Sequence, residues 1–262
     1  MNINNLGLLN MLAAVINESE ESSDKAIADY LLRNLDSIDN LTINEIVDKT
    51  FVSHSSVRRF SNRLGYQNFS ELKSTFSDIV FPSNMHLRTF EPVEKYKQII
   101  NKELDIMIKG INKVIDDETV RYIVNQIYTY DEVIFVSSNN ISSDLLKFQQ
   151  ELFYGNKIIR VITNNFDNYL LKEISDSPKL IIVASISGVF AEEVSHIMNV
   201  IEGEKILITV NQSEGLSYPY NHTIYMSEKD MKSDPLGLFG KYGITYLLDL
   251  ISEEYVYSNK IL

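Results

Sequence analysis

The sequence predicts an α/β protein in two parts, a small all-α module followed by a doubly wound parallel-sheet domain. Three observations carry this. The first 80 residues show no strand-like alternation and a single pair of glycines, Gly7 and Gly65. From residue 131 onward, short β-branched runs recur at nearly even spacing, with helical patterns between them. Several of those runs are apolar on both faces, the mark of strands covered by helices on either side.

Taken in order, Ile27, Tyr30, Leu31 and Leu35 recur at helical spacing after Ser22-Ser23-Asp24. A second helix opens at Thr42, whose hydroxyl can cap it, with Glu45 as the reciprocal partner three residues on. Ile43, Ile46 and Val47 give it one buried face. Phe51-Val52-Ser53 is long enough only for a tight turn. A third helix follows, capped by Ser53 or Ser55, with Val57, Phe60 and Leu64 facing inward and Gly65 ending it. Pro82-Ser83-Asn84 and Pro92 bracket a linker. Ile100, Leu104, Met107, Ile111 and Val114 then form the seam of a long amphipathic helix, suited to the domain core or to a second subunit. Strands are expected at Val133–Val136, Ile158–Thr163, Leu180–Ala184, Ile206–Val210 and Thr223–Tyr225. Helices are expected at Ser142–Tyr154, Phe166–Ile174, Glu192–Ile201 and Leu238–Tyr257. The expected organisation is residues 1–80 as one domain, 81–116 as linker and amphipathic helix, and 117–262 as the α/β domain.

Composition narrows the function. The chain has 262 residues, 44% hydrophobic and 23% charged, so a sizeable core forms and wholesale disorder is excluded. The absence of Cys excludes disulfides, thiolate zinc sites, iron–sulfur clusters and cysteine nucleophiles. Leu6–Ile16 is apolar, but no Lys or Arg precedes Lys25, so the cationic start of a signal peptide is missing. No apolar run is long enough to span a membrane. A soluble, cytoplasmic protein without membrane partners is expected. The net charge of −12 argues against nucleic acid, but residues 49–73 carry Lys49, Arg58, Arg59, Arg63 and Lys73 against Glu71 alone. One positive segment sits inside an acidic chain.

That segment is the third helix of the first module. With Val57 inward, the helical period of 100° per residue puts Ser55, Arg59 and Asn62 opposite, with Ser56, Arg58 and Arg63 on the flanks. Hydroxyls, an amide and guanidinium groups are what base edges and phosphates bind. A capped helix, a short turn and such a face make a helix-turn-helix. Thr42, Ser53, His54, Ser55, Ser56, Arg58, Arg59, Asn62, Arg63 and Lys73 are the expected DNA-binding residues. Arg59 and Asn62 are assigned to bases, and Arg58, Arg63 and Lys73 to phosphates.

The stretch Leu41-Thr42-Ile43-Asn44-Glu45-Ile46-Val47, then Val52-Ser53-His54-Ser55-Ser56-Val57-Arg58-Arg59-Phe60, Arg63-Leu64-Gly65-Tyr66 and Phe69-Ser70-Glu71-Leu72-Lys73, resembles the N-terminal domain of RpiR-type bacterial transcription regulators. Phe51 stands where that family has Gly. The resemblance implies a C-terminal sugar isomerase (SIS) domain that binds phosphosugars as effectors. Leu180-Ile181-Ile182-Val183-Ala184-Ser185-Ile186-Ser187-Gly188 resembles the strand and Ser-x-Ser-Gly loop of that domain, with Phe190 where the family has Thr. Small residues let amides approach a phosphate, hydroxyls donate to it, and a helix start adds positive potential. The expected effector residues are Ser185, Ile186, Ser187 and Gly188, with Ser137, Ser138 and Asn139 as the second wall.

Glu192, Glu193, Glu253, Glu254, His196 and His222 form no distinctive constellation, so no catalytic residue is assigned. The four His residues have no ligand spacing, so no metal is assigned either, and no cofactor is called for. The expected function is a DNA-binding regulator of carbohydrate genes that senses a phosphorylated sugar, as a homodimer or homotetramer. The rival readings are a sugar-phosphate isomerase with an appended helical module, and a regulator whose SIS domain serves only assembly.

Overall fold

The computed structural model describes residues 3–77, 91–163, 179–231, 234 and 236–261. Contacts divide the chain into two compact units, Met1–Val80 and Phe81–Leu262.

The first unit is all helical: α1 (Ile3–Glu18), α2 (Ser22–Arg33), a 3-10 turn (Leu35–Asn40), α3 (Ile43–Thr50), α4 (His54–Arg63) and α5 (Phe69–Ser77). The apolar stretch with the signal-like look is α1, and Leu8 and Leu12 are buried in this unit's core. Ile27, Leu31, Ile46, Val57, Phe60 and Leu72 fill the same core. Both expected helix caps are present, and α2 starts at the expected Ser22 without a side-chain cap. Thr42 and Glu45 form the reciprocal capping box of α3, and Ser53 caps α4 by accepting from the Ser56 amide. Gly65 (φ 88°) takes the left-handed position after α4.

The second unit opens with α6 (Val93–Val114) and α7 (Asp117–Thr129), the latter capped by Asp116 and not expected from the sequence. The rest alternates strand and helix: β1 (Glu132–Ser137), a 3-10 turn (Asn139–Ile141), α8 (Ser142–Phe153), β2 (Arg160–Ile162), β3 (Lys179–Ala184), α9 (Val189–Met198), β4 (Glu204–Thr209) and β5 (His222–Tyr225). A π-helical turn (Phe239–Gly243) leads into α10 (Ile244–Ile261). The expected Phe166–Ile174 helix and the Pro82-Ser83-Asn84 linker lie outside the described residues.

The five described strands are parallel, in the order β2-β1-β3-β4-β5. Alternation assigns the two faces. Val133, Phe135, Leu180, Ile182, Ile206 and Ile208 share one core with α6, α7, α8 and α10. The intervening Ile134, Val136, Ile181, Val183 and Leu207 are buried on the other face. The chain steps one way from β1 to β2 and the opposite way from β3 to β4. Right-handed crossovers therefore put α8 and α9 on opposite faces. The sheet is doubly wound, as the sequence predicts. The seam of α6 packs into this core: Met107 and Ile111 are buried, with Ile100, Leu104 and Val114 against them.

Candidate functional site

On α4 the buried and exposed sides separate cleanly. Val57, Phe60 and Ser61 are buried, while His54, Ser55, Arg58, Arg59, Asn62 and Arg63 are exposed. Hydrogen bonds then divide the residues expected at DNA into two groups.

The first group holds the motif together. Thr42 Oγ1 donates to the Glu45 carboxylate at 2.8 Å and accepts from the Glu45 amide at 3.2 Å. Ser56 is buried rather than flanking, its Oγ 3.0 Å from Ser53 Oγ. The Asn62 amide nitrogen, in the orientation its surroundings require, donates to the Tyr66 and Gln67 carbonyls at 2.9 Å. It fastens the turn after α4, so base recognition is not its only engagement. Arg63 Nη2 donates to Asp24 Oδ1 at 2.9 Å and ties α4 to α2. Asp24 is buried there; burial raises its pKa above the ordinary value, and the Arg63 charge pulls it back down. Lys73 Nζ, half-buried, donates to the Leu41 carbonyl at 3.3 Å. Spacing alone could not show that these groups, free on a helical wheel, are met by other elements.

The second group faces solvent. His54, Ser55, Arg58 and Arg59 follow the i, i+1, i+4, i+5 pattern of one helix face at the N-terminal half of α4. Arg58 has no partner among the described residues, while Arg59 makes a 3.4 Å contact to Ser56 Oγ and its charge, more weakly than that of Arg63, also lowers the Asp24 pKa. Ser55 Oγ lies 2.7 Å from Ser53 Oγ. A reading helix in the major groove touches bases with its N-terminal residues, and this is where the free donors are.

In the second unit, the strand order reverses between β1 and β3, and parallel sheets bind ligands outside the carboxyl ends at such a switch point. Ser137 and Ala184, the last residues of β1 and β3, are register partners. The two expected effector loops are therefore neighbours. Ser137 is buried and donates to the Ala184 carbonyl at 2.8 Å. Ser185 is buried, and its Oγ accepts from the Ala191 amide at 3.0 Å. Ser138 and Ser187 keep hydroxyls without a partner among the described residues. The side chain of Asn139 lies outside the described part of the structure. Phe190, in the first turn of α9, is buried.

The end of β4, which carries no expected site residue, shapes the loop. Thr209 Oγ1 and the Val210 amide both donate to the Ile186 carbonyl, and Asn211 Nδ2 donates to the Ser187 carbonyl at 2.8 Å. With those carbonyls turned toward β4, the trans peptides turn the Ser187 amide away from it. Gly188 differs from expectation, since its amide donates to the Ser185 carbonyl and is not available to a ligand. Its value is shape: at φ 85° it lies so close to Asn211 that an added Cβ would come within 2.4 Å of Nδ2. An Asn directly after an apolar strand was the available signal.

A depression of about 990 Å³ elsewhere in this unit is lined by Asp116, Asp117, Glu118, Glu253 and Glu254 with Arg121, an acidic wall that disfavours phosphate. Among the described residues no group of three or more His, Asp or Glu side chains could hold a metal ion, and no helix is long and apolar enough to cross a membrane.

The family model "Helix-turn-helix domain, rpiR family" matches residues 6–80. The "Uncharacterized HTH-type transcriptional regulator YfhH" of Escherichia coli K12 is 41% identical over 56 residues, 21% of this chain and 20% of that protein. The match thus spans about a fifth of the curated relative. A protein of E. coli CFT073, c3406, solved as a ligand complex, covers 66% of this chain and 95% of its own at 12% identity and a TM-score of 0.52, which shows a shared fold. The Vibrio vulnificus NanR protein complexed with ManNAc-6P covers 96% of this chain and 92% of its own at 18% identity and a TM-score of 0.49.

Proposed function

We propose that this chain, whose N-terminal unit is a helix-turn-helix domain of the rpiR family, is a cytoplasmic transcription regulator that binds operator DNA and senses a phosphorylated sugar through its α/β unit. The observation that carries the first half is the arrangement on α4. Its C-terminal cation is held by Asp24, while beside His54 and Ser55 Arg58 has no partner among the described residues and Arg59 is exposed with only a long contact to Ser56 Oγ. As a homodimer, two such helices would address half-sites about 34 Å apart or a multiple of that.

The test uses duplexes selected by the full chain from a randomised library, followed by fluorescence anisotropy. Arg59→Ala weakens the preferred duplex by about 1–3 kcal/mol and relaxes discrimination. Arg58→Ala weakens all duplexes alike and lowers the salt slope by about one. Arg63→Ala is the contrast: it lowers the melting temperature and leaves affinity nearly unchanged well below that temperature. If Arg58→Ala and Arg59→Ala bind like wild type, this face of α4 is not the interface.

The second half rests on Ser138 and Ser187, two hydroxyls with no partner among the described residues, at adjacent strand ends beside the start of α9. The E. coli CFT073 protein of the same fold is itself a ligand complex. We read the unit as a sensor rather than an enzyme. Glu192 and His196 on α9 are both exposed, and the His196 ring is 2.9 Å from its own helix's Glu193 carbonyl; exposed side chains lack the burial that tunes a general base. The engagement of Ser137 and Ser185 favours one rival, a domain that serves only assembly. Thermal-shift titration with hexose and amino-sugar phosphates separates them. A shift that Ser187→Ala reduces supports sensing, and no shift with any compound supports assembly alone.

A further inference from the structure

We infer that Phe51 is an apolar base reader, contacting a thymine methyl group beside the bases addressed by α4; this rests on the reading of α4 as the DNA helix. Phe51 is 95% exposed, whereas Phe60, Tyr66 and Phe69 of the same unit are buried in its core. It also holds φ 56° in the left-handed region, which disfavours a bulky side chain. The turn itself requires neither property, since Gly or Asn takes that conformation without exposing a ring. Strain and an uncovered ring at one residue point to a contact outside the chain.

Position names the contact. Only Val52 and Ser53 separate Phe51 from His54, the first residue of α4, so its Cα lies within about 11 Å of that helix start. Lys49 is exposed just before it. The exposed face of α4 is wholly polar: His54, Ser55, Arg58 and Arg59 supply donors and charge for phosphates and purine edges. The one major-groove feature such a face reads poorly is the C5-methyl of thymine, which apolar side chains including Phe recognise. The ring supplies the missing element.

Duplexes selected by the full chain are remade with each thymine replaced in turn by deoxyuridine, which lacks only that methyl group. They are then bound by wild type, Phe51→Gly and Phe51→Asn. Wild type should lose about three- to fivefold in affinity at one thymine per half-site, the size of one buried methyl contact. Both variants should bind the thymine duplex more weakly by a similar factor and no longer distinguish thymine from deoxyuridine there. Variants that match wild type on every duplex, or that keep its methyl discrimination, overturn the inference. A wild type that selects no duplex overturns the reading of α4, and this assignment with it. Melting temperatures of both variants at or above wild type exclude a folding defect as the cause of lost affinity.

Discussion

Asp24 and Arg63 illustrate how one contact reassigns a residue. From the sequence, Arg63 is one of a run of cations on a helix. In the fold its guanidinium lies 2.9 Å from a carboxylate only 5% exposed. Burial raises the Asp24 pKa, with Arg63 opposing, so the folded protein holds that proton more tightly than the unfolded chain. The associated stability is greatest below the ordinary value of 3.8 and is lost as pH rises through the folded pKa. Asp24→Asn keeps an acceptor for Arg63 and removes the titration. Urea unfolding of both proteins should therefore show the wild type losing stability relative to Asp24→Asn as pH rises from below 3.8, with a constant difference above the transition. A difference independent of pH would show that Asp24 does not titrate on folding. At the effector loop, Gly188→Ala meets both the left-handed backbone and the Asn211 side chain, so it should abolish any response to sugar phosphates and lower the melting temperature. The Asn211 contact is not visible from the Ser-x-Ser-Gly pattern, because Asn211 reaches that loop from the end of the neighbouring strand β4.

Elements are legible where a local signal fixes them. The Thr42–Glu45 box, the Ser53 cap and Gly65 define α3 and α4 through contacts within four residues, so spacing suffices to find them. The reach of that signal is measurable. Thr42→Ala removes one cap acceptor and one donor to Glu45, which should cost about 1 kcal/mol and lower the first unit's melting temperature by several degrees. DNA affinity measured well below that temperature should change little, since Thr42 is engaged inside the motif. A large loss of affinity at unchanged stability would return Thr42 to the interface. Elements with weaker signals escape such a reading. α1 lacks acidic residues in its first turn and basic residues in its last, and its apolar run resembles a signal core until Leu8 and Leu12 meet the first unit's core. α7 does carry a cap, with Asp116 Oδ1 2.9 Å from the Thr119 amide, yet it lies close behind the long α6, whose seam dominates the pattern. The π-helical turn at Phe239–Gly243 follows no periodic rule, and Gly243 there packs against Ile111 and Met107.

Each unit of the molecule has a core of its own, one around Phe60, Ile46 and Leu31 and the other around the sheet. Calorimetry should accordingly resolve two transitions, with Thr42→Ala moving one and Gly188→Ala the other. A single transition shifted equally by both changes would show that the cores melt as one. A sugar phosphate at 100 times its Kd should raise only the α/β transition, by about 2.7 kcal/mol of stability. The sequence by itself determined the α/β class, the helix-turn-helix and the two loops that meet at the sheet, because these follow from periodicity, capping and turn chemistry acting over a few residues. Tertiary structure alone decided which hydroxyls and cations remain available. Ser137, Ser185, Asn62, Arg63 and Lys73 are engaged, while among the described residues Ser138, Ser187 and Arg58 have no side-chain partner and Arg59 has only a long contact to Ser56 Oγ and the distant charge of Asp24. The physical reason is distance along the chain. Arg63 and Asp24 are 39 residues apart, and Ser137 reaches a carbonyl 47 residues away, so no local pattern records that those groups are already satisfied.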